Sequence, residues 1–287
     1  MNNRLIVGFD GSQASISAVH WAAAEAEIRG ASVRVVSSYS MPVLTDYYGI
    51  GAATVSPAEL SSLREMTMAG MGAVVASARS QHRAVAFEYD AINQPARDML
   101  IAAAAKADML VVGSSGAGAA RAFLLGSVAQ AVIRLSPCPV AVVRGGQAGE
   151  RIGRIVVGID GSEQGDDALR WATDEADLRE AELIVVHAWE YPYRSITQAS
   201  AEAADLTRVD AACVLDRAVE MSRDHGTGNV RGELIDSAPA GALLDTGKEA
   251  DMIVVGSRGR GGFRSMVFGS VAQSVTAHST CPVIVVR

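Results

Sequence analysis

The sequence IVGFDGS at residues 6–12 returns as VVGIDGS at residues 156–162. Each copy is an apolar run followed by Asp-Gly-Ser, a pattern typical of a buried strand, a turn and the start of a helix. DMLVVGS at residues 108–114 likewise returns as DMIVVGS at residues 251–257. Because repetition over most of a chain indicates duplicated units, we predict one domain at residues 1–144 and a second at residues 154–287. A polar, glycine-rich linker at residues 145–153 would join them.

Each unit alternates strands with helices. In the first unit we predict strands at 5–9, 33–38, 84–89, 109–112 and 140–143, and helices at 12–28, 57–81, 95–106 and 127–135. Gly30 should end the first helix. Such alternation favours an α/β fold, with a doubly wound parallel sheet in each half and helices on both faces. Ligands of such sheets lie beyond the carboxyl ends of the strands.

The composition limits the classes of partner. The chain has 287 residues, of which 49% are hydrophobic and 20% charged, with a net charge of −7. This is a globular composition, and an acidic chain is a poor candidate for binding nucleic acid. Three cysteines cannot form a disulfide framework in a chain of this length. The first residues do not resemble a signal peptide, and no apolar run approaches the roughly 20 residues of a membrane-spanning helix. We therefore expect a cytoplasmic protein with no membrane insertion.

Two glycine-rich loops follow the fourth strand of each half. They read Gly-x-x-Gly, nine residues, then Gly-Ser, at residues 113–127 and 256–270. Glycines let a backbone approach a ligand closely, and free amides at a helix start favour an anion. The alternative is purely structural, because Ser127-x-x-Gln130 and Ser270-x-x-Gln273 fit the capping-box pattern. Neither loop matches the Walker or dinucleotide-binding motifs.

Asp10 and Asp160 end the first strand of each half. Since Ser12 and Ser162 are suited to cap the helices that follow, these carboxylates need not act as caps. One role is to accept hydrogen bonds from ribose hydroxyls, as acidic residues do in dinucleotide sites. The alternative is an Asx-turn within the loop.

The order of these motifs, with Ser-x-Cys-Pro-Val before the last strand, resembles the universal stress protein family in its tandem form. The resemblance implies two five-stranded parallel sheets in the order 3-2-1-4-5. It also implies ATP, with or without Mg²⁺, held at strands one and four as in the ATP-binding branch of the family. Carried onto this sequence, the adenine and ribose contacts would be Gly8, Phe9, Asp10 and Ser38 in the first half, and Gly158, Ile159, Asp160 and Ala188 in the second. The phosphate and ribose contacts would be Gly113, Gly116, Gly126, Ser127 and Val128, and Gly256, Gly259, Gly269, Ser270 and Val271.

The two halves differ around their loops. The second loop carries Arg258, Arg260 and Arg264, where the first has Ser115, Ala117 and Arg121. Since guanidinium groups pair well with phosphate, we predict tighter triphosphate binding by the second half, unless these arginines point to solvent. The first half has a longer segment after its second strand, around residues 47–51, which suits a surface loop better than a lid.

The leading hypothesis is an ATP-binding regulatory protein whose occupancy controls conformation or the binding of an unknown protein partner. The resemblance implies a role in stress response or growth control. The alternatives are a slow ATPase or nucleotidyl-transfer enzyme, and an interaction module that binds no nucleotide. Neither loop shows a carboxylate or lysine aimed at phosphates, so we expect weak hydrolysis at most. We also expect residues 140–143 to pair with residues 283–286 inside the chain, and a homodimer of whole chains is a further hypothesis.

Overall fold

A computed structural model describes residues 3–39, 56–116, 125–144, 153–190, 198–226, 228–260 and 268–287. The predicted linker at 145–153 lies outside the described residues except for Gly153. The segment around residues 47–51, together with Ala117, Arg121 and Arg264, lies outside them as well.

Each half contains five strands and four helices in the described ranges. The first half comprises β1 (Arg4–Gly8), α1 (Gln13–Arg29), β2 (Ser32–Ser38), α2 (Pro57–Gln81), β3 (Phe87–Ile92), α3 (Ala96–Ala104), β4 (Met109–Gly113), α4 (Ser127–Leu135) and β5 (Val140–Val143). The second half comprises β6 (Arg154–Ile159), α5 (Glu163–Arg179), β7 (Glu182–Trp189), α6 (Gln198–His225), β8 (Val230–Asp236), α7 (Pro239–Thr246), β9 (Met252–Gly256), α8 (Ser270–His278) and β10 (Val283–Val286). The order of elements confirms the predicted alternation.

The strands form one continuous sheet of ten, in the order β3-β2-β1-β4-β5-β10-β9-β6-β7-β8. Within each half the neighbours are parallel and follow the predicted order 3-2-1-4-5. The halves meet where β5 and β10 pair antiparallel, with Ile284 opposite Ala141. The predicted pairing of 140–143 with 283–286 is therefore confirmed, and it merges the two sheets into one.

Helices cover both faces of this sheet. The buried cluster on one face includes residues of α1, α2, α5 and α6, and the cluster on the other face includes residues of α3, α4, α7 and α8. Apart from the edge strands β3 and β8, the strands are buried on both sides, which explains why they read as nearly continuous apolar runs. Gly30 ends α1 in the left-handed conformation, at φ 59°, as the sequence predicts.

The prediction for the third strand was wrong by three residues. The apolar run at 84–87 suggested a strand at 84–89, but β3 is Phe87–Ile92. Val85 is buried, yet its amide donates to the carbonyl of His82 at 3.1 Å in the turn after α2. The strand is set by its ladder with β2, which pairs Val33 with Phe87 and Ser38 with Ile92.

Four charged side chains lie between α1 and α5, where the halves meet. Arg29 and Arg179 each pair with Glu25 and with Glu175, so that every member of this ion quartet has two partners of opposite charge. The exposed fractions of the side chains are 2% for both glutamates, 9% for Arg179 and 20% for Arg29. The guanidinium of Arg29 also lies 5.5 Å from the ring centroid of Trp171.

Candidate functional site

A cavity of about 380 Å³ opens at the carboxyl ends of the second half's strands. All the site residues predicted for this half line it: Gly158, Ile159, Asp160, Ala188, Gly256, Arg258, Gly259, Gly269, Ser270 and Val271. Arg260, predicted with Arg258 as a phosphate-pairing arginine, lines it as well. The structure adds residues that the sequence analysis missed: Gly165, Val186, Pro239, Leu243, Val255 and Ala272. The cavity volume falls in the range of about 300–1,000 Å³ found for small-molecule sites.

One wall of the cavity is apolar. Val186 and Val255 come from the sheet, while Pro239 and Leu243 come from α7. Leu243 is 3% exposed and belongs to the core cluster on this face. The α7 residues were missed because nothing in their own sequence distinguishes a cavity wall from an ordinary core helix. Such a wall suits the apolar face of a ring system.

The turn after β6 is built by Asp160 and Ser162. The Ser162 hydroxyl caps α5 by accepting from the Gly165 amide at 3.2 Å, as predicted for a helix N-cap. The Oδ1 of Asp160 accepts from the Ser162 amide at 3.0 Å, which is the Asx-turn alternative. Asp10 and Ser12 make the matching bonds at 3.0 Å and 3.1 Å in the first half. Both aspartates therefore form the Asx-turn, and the bond of the turn engages one carboxylate oxygen, Oδ1, in each.

The other carboxylate oxygen of Asp160 faces the glycine loop. Its Oδ2 accepts from the backbone amide of Arg260 at 2.6 Å. The turn after β6 is thereby joined to the loop after β9. Asp160 is half-buried at the floor of this junction, whereas Asp10 in the first half is exposed.

Two glycines of the loop are required by close approach. A Cβ on Gly256 would lie 2.7 Å from the carbonyl oxygen of Gln164, at the start of α5. A Cβ on Gly259 would lie 2.3 Å from Oδ2 of Asp160. In the first half, a Cβ on Gly113 would lie 2.8 Å from the carbonyl carbon of Ala14, and a Cβ on Gly116 would lie 2.9 Å from Oδ2 of Asp10. The first glycine of each loop thus lets the helix pack on the strand, and the second admits the carboxylate.

The proposed capping boxes are wrong, because Ser127 and Ser270 are the first residues of α4 and α8, not their caps. Gly126 and Gly269 occupy the N-cap positions, and neither helix has a side-chain capping bond. The side-chain amide of Gln130 donates through Nε2 to the carbonyl of Leu125 at 2.8 Å, and not to the cap residue. The serine side chains therefore do not cap their helices. Because Ser270, Val271 and Ala272 line the cavity, the positive end of α8 faces it.

In the first half, Gly8 ends β1 and Phe9 follows it, while Ser38 ends β2. Gly113, Gly116, Gly126, Ser127 and Val128 follow β4 and open α4. The Phe9 side chain is buried in the core cluster beneath α1 and α2, so any ligand contact by this residue must come from its backbone. The Ser38 hydroxyl donates to the carbonyl of Gln94. Residues 117–124 of this loop lie outside the described ranges.

The cysteines before the last strand of each half are structural. Cys138 and Cys281 are buried, and their thiols lie 3.4 Å from the hydroxyls of Ser136 and Ser279. Burial raises the pKa of both thiols above the usual range. Only the thiolate reacts readily.

We therefore predict that a water-soluble disulfide reagent at pH 8 will rapidly modify one thiol per native chain, that of the exposed Cys213. After denaturation in urea all three cysteines should react. Absorbance of the released thiolate gives both counts. Rapid modification of all three in the native protein would contradict the inert role of Cys138 and Cys281.

Comparison with known proteins assigns the chain to a family. A family model described as the universal stress protein family matches residues 1–144 and again residues 151–287. The chain belongs to the universal stress protein family. A universal stress protein of Mycolicibacterium smegmatis is 30% identical over 285 residues, which cover 99% of this chain and 96% of that protein. A universal stress protein of Mycobacterium tuberculosis is 31% identical over 303 residues, which cover 100% of this chain and 95% of that protein.

Solved structures show the same fold. A universal stress protein from Archaeoglobus fulgidus superposes with a TM-score of 0.70 at 23% identity, covering 100% of this chain and 99% of that one. The tandem organisation of this universal stress protein therefore follows a known architecture. In the described ranges no helix is both long and apolar enough to cross a membrane. The same ranges contain no cluster of three or more His, Cys, Asp or Glu side chains arranged to hold a metal ion.

Proposed function

We propose that this universal stress protein binds adenine nucleotides, with ATP as the main ligand, at the carboxyl ends of β6, β7 and β9. The observation that carries the proposal is a single cavity with two chemically different walls. The apolar wall of Val186, Val255 and Leu243 suits the base. The opposite wall offers backbone amides of the glycine loop and of α8, which suit the phosphates. The first half repeats the motif and is proposed as a second site.

The charges around the cavity support a phosphate ligand. Among the described residues that line it, the ionisable ones are Asp160, Arg258 and Arg260. The two arginines are exposed at its mouth. A guanidinium forms strong paired hydrogen bonds with phosphate oxygens. This arrangement favours a nucleotide over an uncharged nucleoside, and it is the basis for proposing tighter triphosphate binding in the second half.

The same ionisable residues favour binding of ATP over its hydrolysis. Both carboxylate oxygens of Asp160 accept hydrogen bonds from the protein, so this group is poorly placed to activate water. We therefore propose ATP hydrolysis at well below about 1 s⁻¹, a low value for an enzyme. A regulatory role then follows, in which occupancy of the loops controls conformation or a partner surface during stress response or growth control. Homodimerisation of whole chains is part of this proposal.

The test is to identify and count the small molecules that copurify with the protein. Protein prepared without added nucleotide is denatured, and the released compounds are identified by chromatography and mass spectrometry. About two ATP per chain supports both sites, and about one supports unequal halves. If nothing is released, ATP at 100 times its dissociation constant should still stabilise the protein by about 2.7 kcal/mol. An unchanged melting temperature would overturn the proposal in favour of an interaction module.

Exchanging the arginines for their first-half counterparts should weaken ATP binding. The double variant Arg258→Ser, Arg260→Ala keeps the backbone amides but removes both guanidinium groups. Each charge-assisted hydrogen bond contributes about 1.5–3 kcal/mol. We therefore expect the dissociation constant of ATP at the second site to rise at least about tenfold, and that of adenosine to change little. Isothermal titration calorimetry measures both.

The matched control is Arg170→Ala, since this exposed arginine of α5 lies outside the cavity and pairs with Asp167. It also removes a positive charge from the second half but should leave ATP binding unchanged. Equal weakening by the control would mean that net charge, and not contact with phosphate, explains the result.

A further inference from the structure

The Asp160 carboxylate is almost fully used by the protein itself. Its Oδ1 accepts from both the amide and the hydroxyl of Ser162, at 3.0 Å and 2.5 Å. Its Oδ2 accepts from the Arg260 amide at 2.6 Å. One side chain thus joins two segments that are 100 residues apart in sequence. A carboxylate with these three bonds has little capacity left for a ligand.

Glycines on two sides hold the backbone against this carboxylate. A Cβ on Gly259 would lie 2.3 Å from Oδ2, and a Cβ on Gly165 would lie 3.1 Å from Oδ1. Both glycines also line the cavity. The first turn of α5 and the loop after β9 therefore each approach one carboxylate oxygen of Asp160 closely. Such close enclosure by backbone is expected of a group that fixes the shape of the site.

We propose that Asp160 is a positioning residue that holds the loop after β9 in its binding conformation, and not a direct ligand of the ribose. By fixing the Arg260 amide, it sets where the amides and guanidinium groups of residues 258–260 meet the cavity. The nucleotide part of this inference rests on the proposed function. The effect of Asp160 on the Arg260 amide concerns the protein alone, so it is measured without any ligand.

The test variant is Asp160→Asn in the full chain. Asparagine keeps the volume and one oxygen for the Ser162 amide, but its NH₂ group would face the Arg260 N–H. The loss of a charge-assisted hydrogen bond corresponds to about a 10- to 100-fold change. In nucleotide-free protein, hydrogen exchange at the Arg260 amide should accelerate by at least about tenfold. Asp167→Asn removes the same charge from an exposed position on α5 and should leave this exchange unchanged.

Ligand binding separates positioning from direct contact. If Asp160 positions the loop, Asp160→Asn should raise the dissociation constant of ATP by about 10- to 100-fold and that of adenosine by less than about twofold. Equal losses for ATP and adenosine would overturn the proposal and indicate contact with the nucleoside. Unchanged exchange at Arg260 would overturn it as well. If wild-type protein binds neither compound, the proposed function fails while hydrogen exchange still decides the positioning role.

A second pair of variants covers the case in which Asp160→Asn does not fold. Arg260→Pro removes the backbone donor, and Arg260→Ala keeps it while removing the same guanidinium. The proline variant should bind ATP about 10- to 100-fold more weakly than the alanine variant. Where both backgrounds fold, Asp160→Asn should add no further loss to Arg260→Pro, because the two changes delete one bond. Full additivity, or equal ATP binding by the two Arg260 variants, would contradict the proposal.

Discussion

Replacing Arg179 with methionine should lower the free energy of unfolding by about 3–5 kcal/mol at pH 7.5. Arg179 is 9% exposed and pairs with Glu25 and Glu175, each 2% exposed. Its removal leaves two buried carboxylates with Arg29 as their one remaining cationic partner in the described ranges. Breaking a buried ion pair is costly because the remaining charge has lost its water and its partner. Urea titration of the nucleotide-free protein measures the change.

The effect should depend on pH in a defined direction. Burial alone would raise the pKa of the Glu25 carboxyl, but the charges and hydrogen bonds of Arg179 and Arg29 outweigh burial and lower it. In the wild type, the stability that Glu25 contributes is present above its unfolded pKa and is lost as pH falls through the folded one. Without Arg179, burial should dominate and raise that pKa, so protonation would relieve the variant as pH falls. The difference between the two proteins should therefore shrink from pH 8 to pH 5.

Arg170→Met is the matched control, because Arg170 lies on the same helix but is 49% exposed and pairs with Asp167. An exposed pair of this kind contributes about 0–1 kcal/mol. Replacing all four members of the quartet with apolar residues of similar volume should recover most of the loss. A loss below about 1 kcal/mol for Arg179→Met would contradict the view that the quartet is a buried, mutually compensated set of charges.

Replacing Gly259 with alanine should raise the dissociation constant of ATP at the second site by about 10- to 100-fold. The new Cβ would lie 2.3 Å from Oδ2 of Asp160, a distance that no relaxed structure tolerates. Either the loop or the carboxylate must move, which breaks the bond to the Arg260 amide. A charge-assisted hydrogen bond of about 1.5–3 kcal/mol corresponds to that range of affinity. Calorimetric titration resolves the affected site by its stoichiometry and affinity.

Gly116→Ala is the natural comparison, since it makes the same change in the first half. There the Cβ would lie 2.9 Å from Oδ2 of the exposed Asp10, so a smaller shift relieves the contact. We expect Gly116→Ala to affect the first site only, and by a smaller factor. Gly228→Ala, where a Cβ would meet nothing within 4 Å, controls for the substitution itself. Unaltered ATP binding by Gly259→Ala would exclude the loop after β9 from the site.

Much of the fold was predictable from local patterns. The repeated Asp-Gly-Ser and glycine motifs identified the duplication, and α2 begins and ends at the predicted residues 57 and 81. Pro57, the capping Ser56 and Glu59 fix its start through short-range contacts. The bounds of α4 were also predicted correctly at 127–135, but its N-cap was not, because Ser127 and Gln130 match a capping pattern while the backbone places Gly126 at the cap. A local pattern identifies a helix more reliably than it identifies the residue at its end.

The features that required the tertiary structure depend on contacts between distant segments. Pro239 and Leu243 line the cavity only because α7 packs against β6 and β7. Glu25 with Arg29, and Glu175 with Arg179, are spaced four residues apart and read as ordinary surface pairs along each helix. They become a buried quartet because β5 pairs with β10 and brings α1 against α5. Sequence spacing thus determined which residues share a helix face or a loop. The charges of the quartet lose their water only when the two halves pack together, and this desolvation makes their pairing important for stability. The carboxylate of Asp160 likewise meets the Arg260 amide only when the loops after β6 and β9 come together.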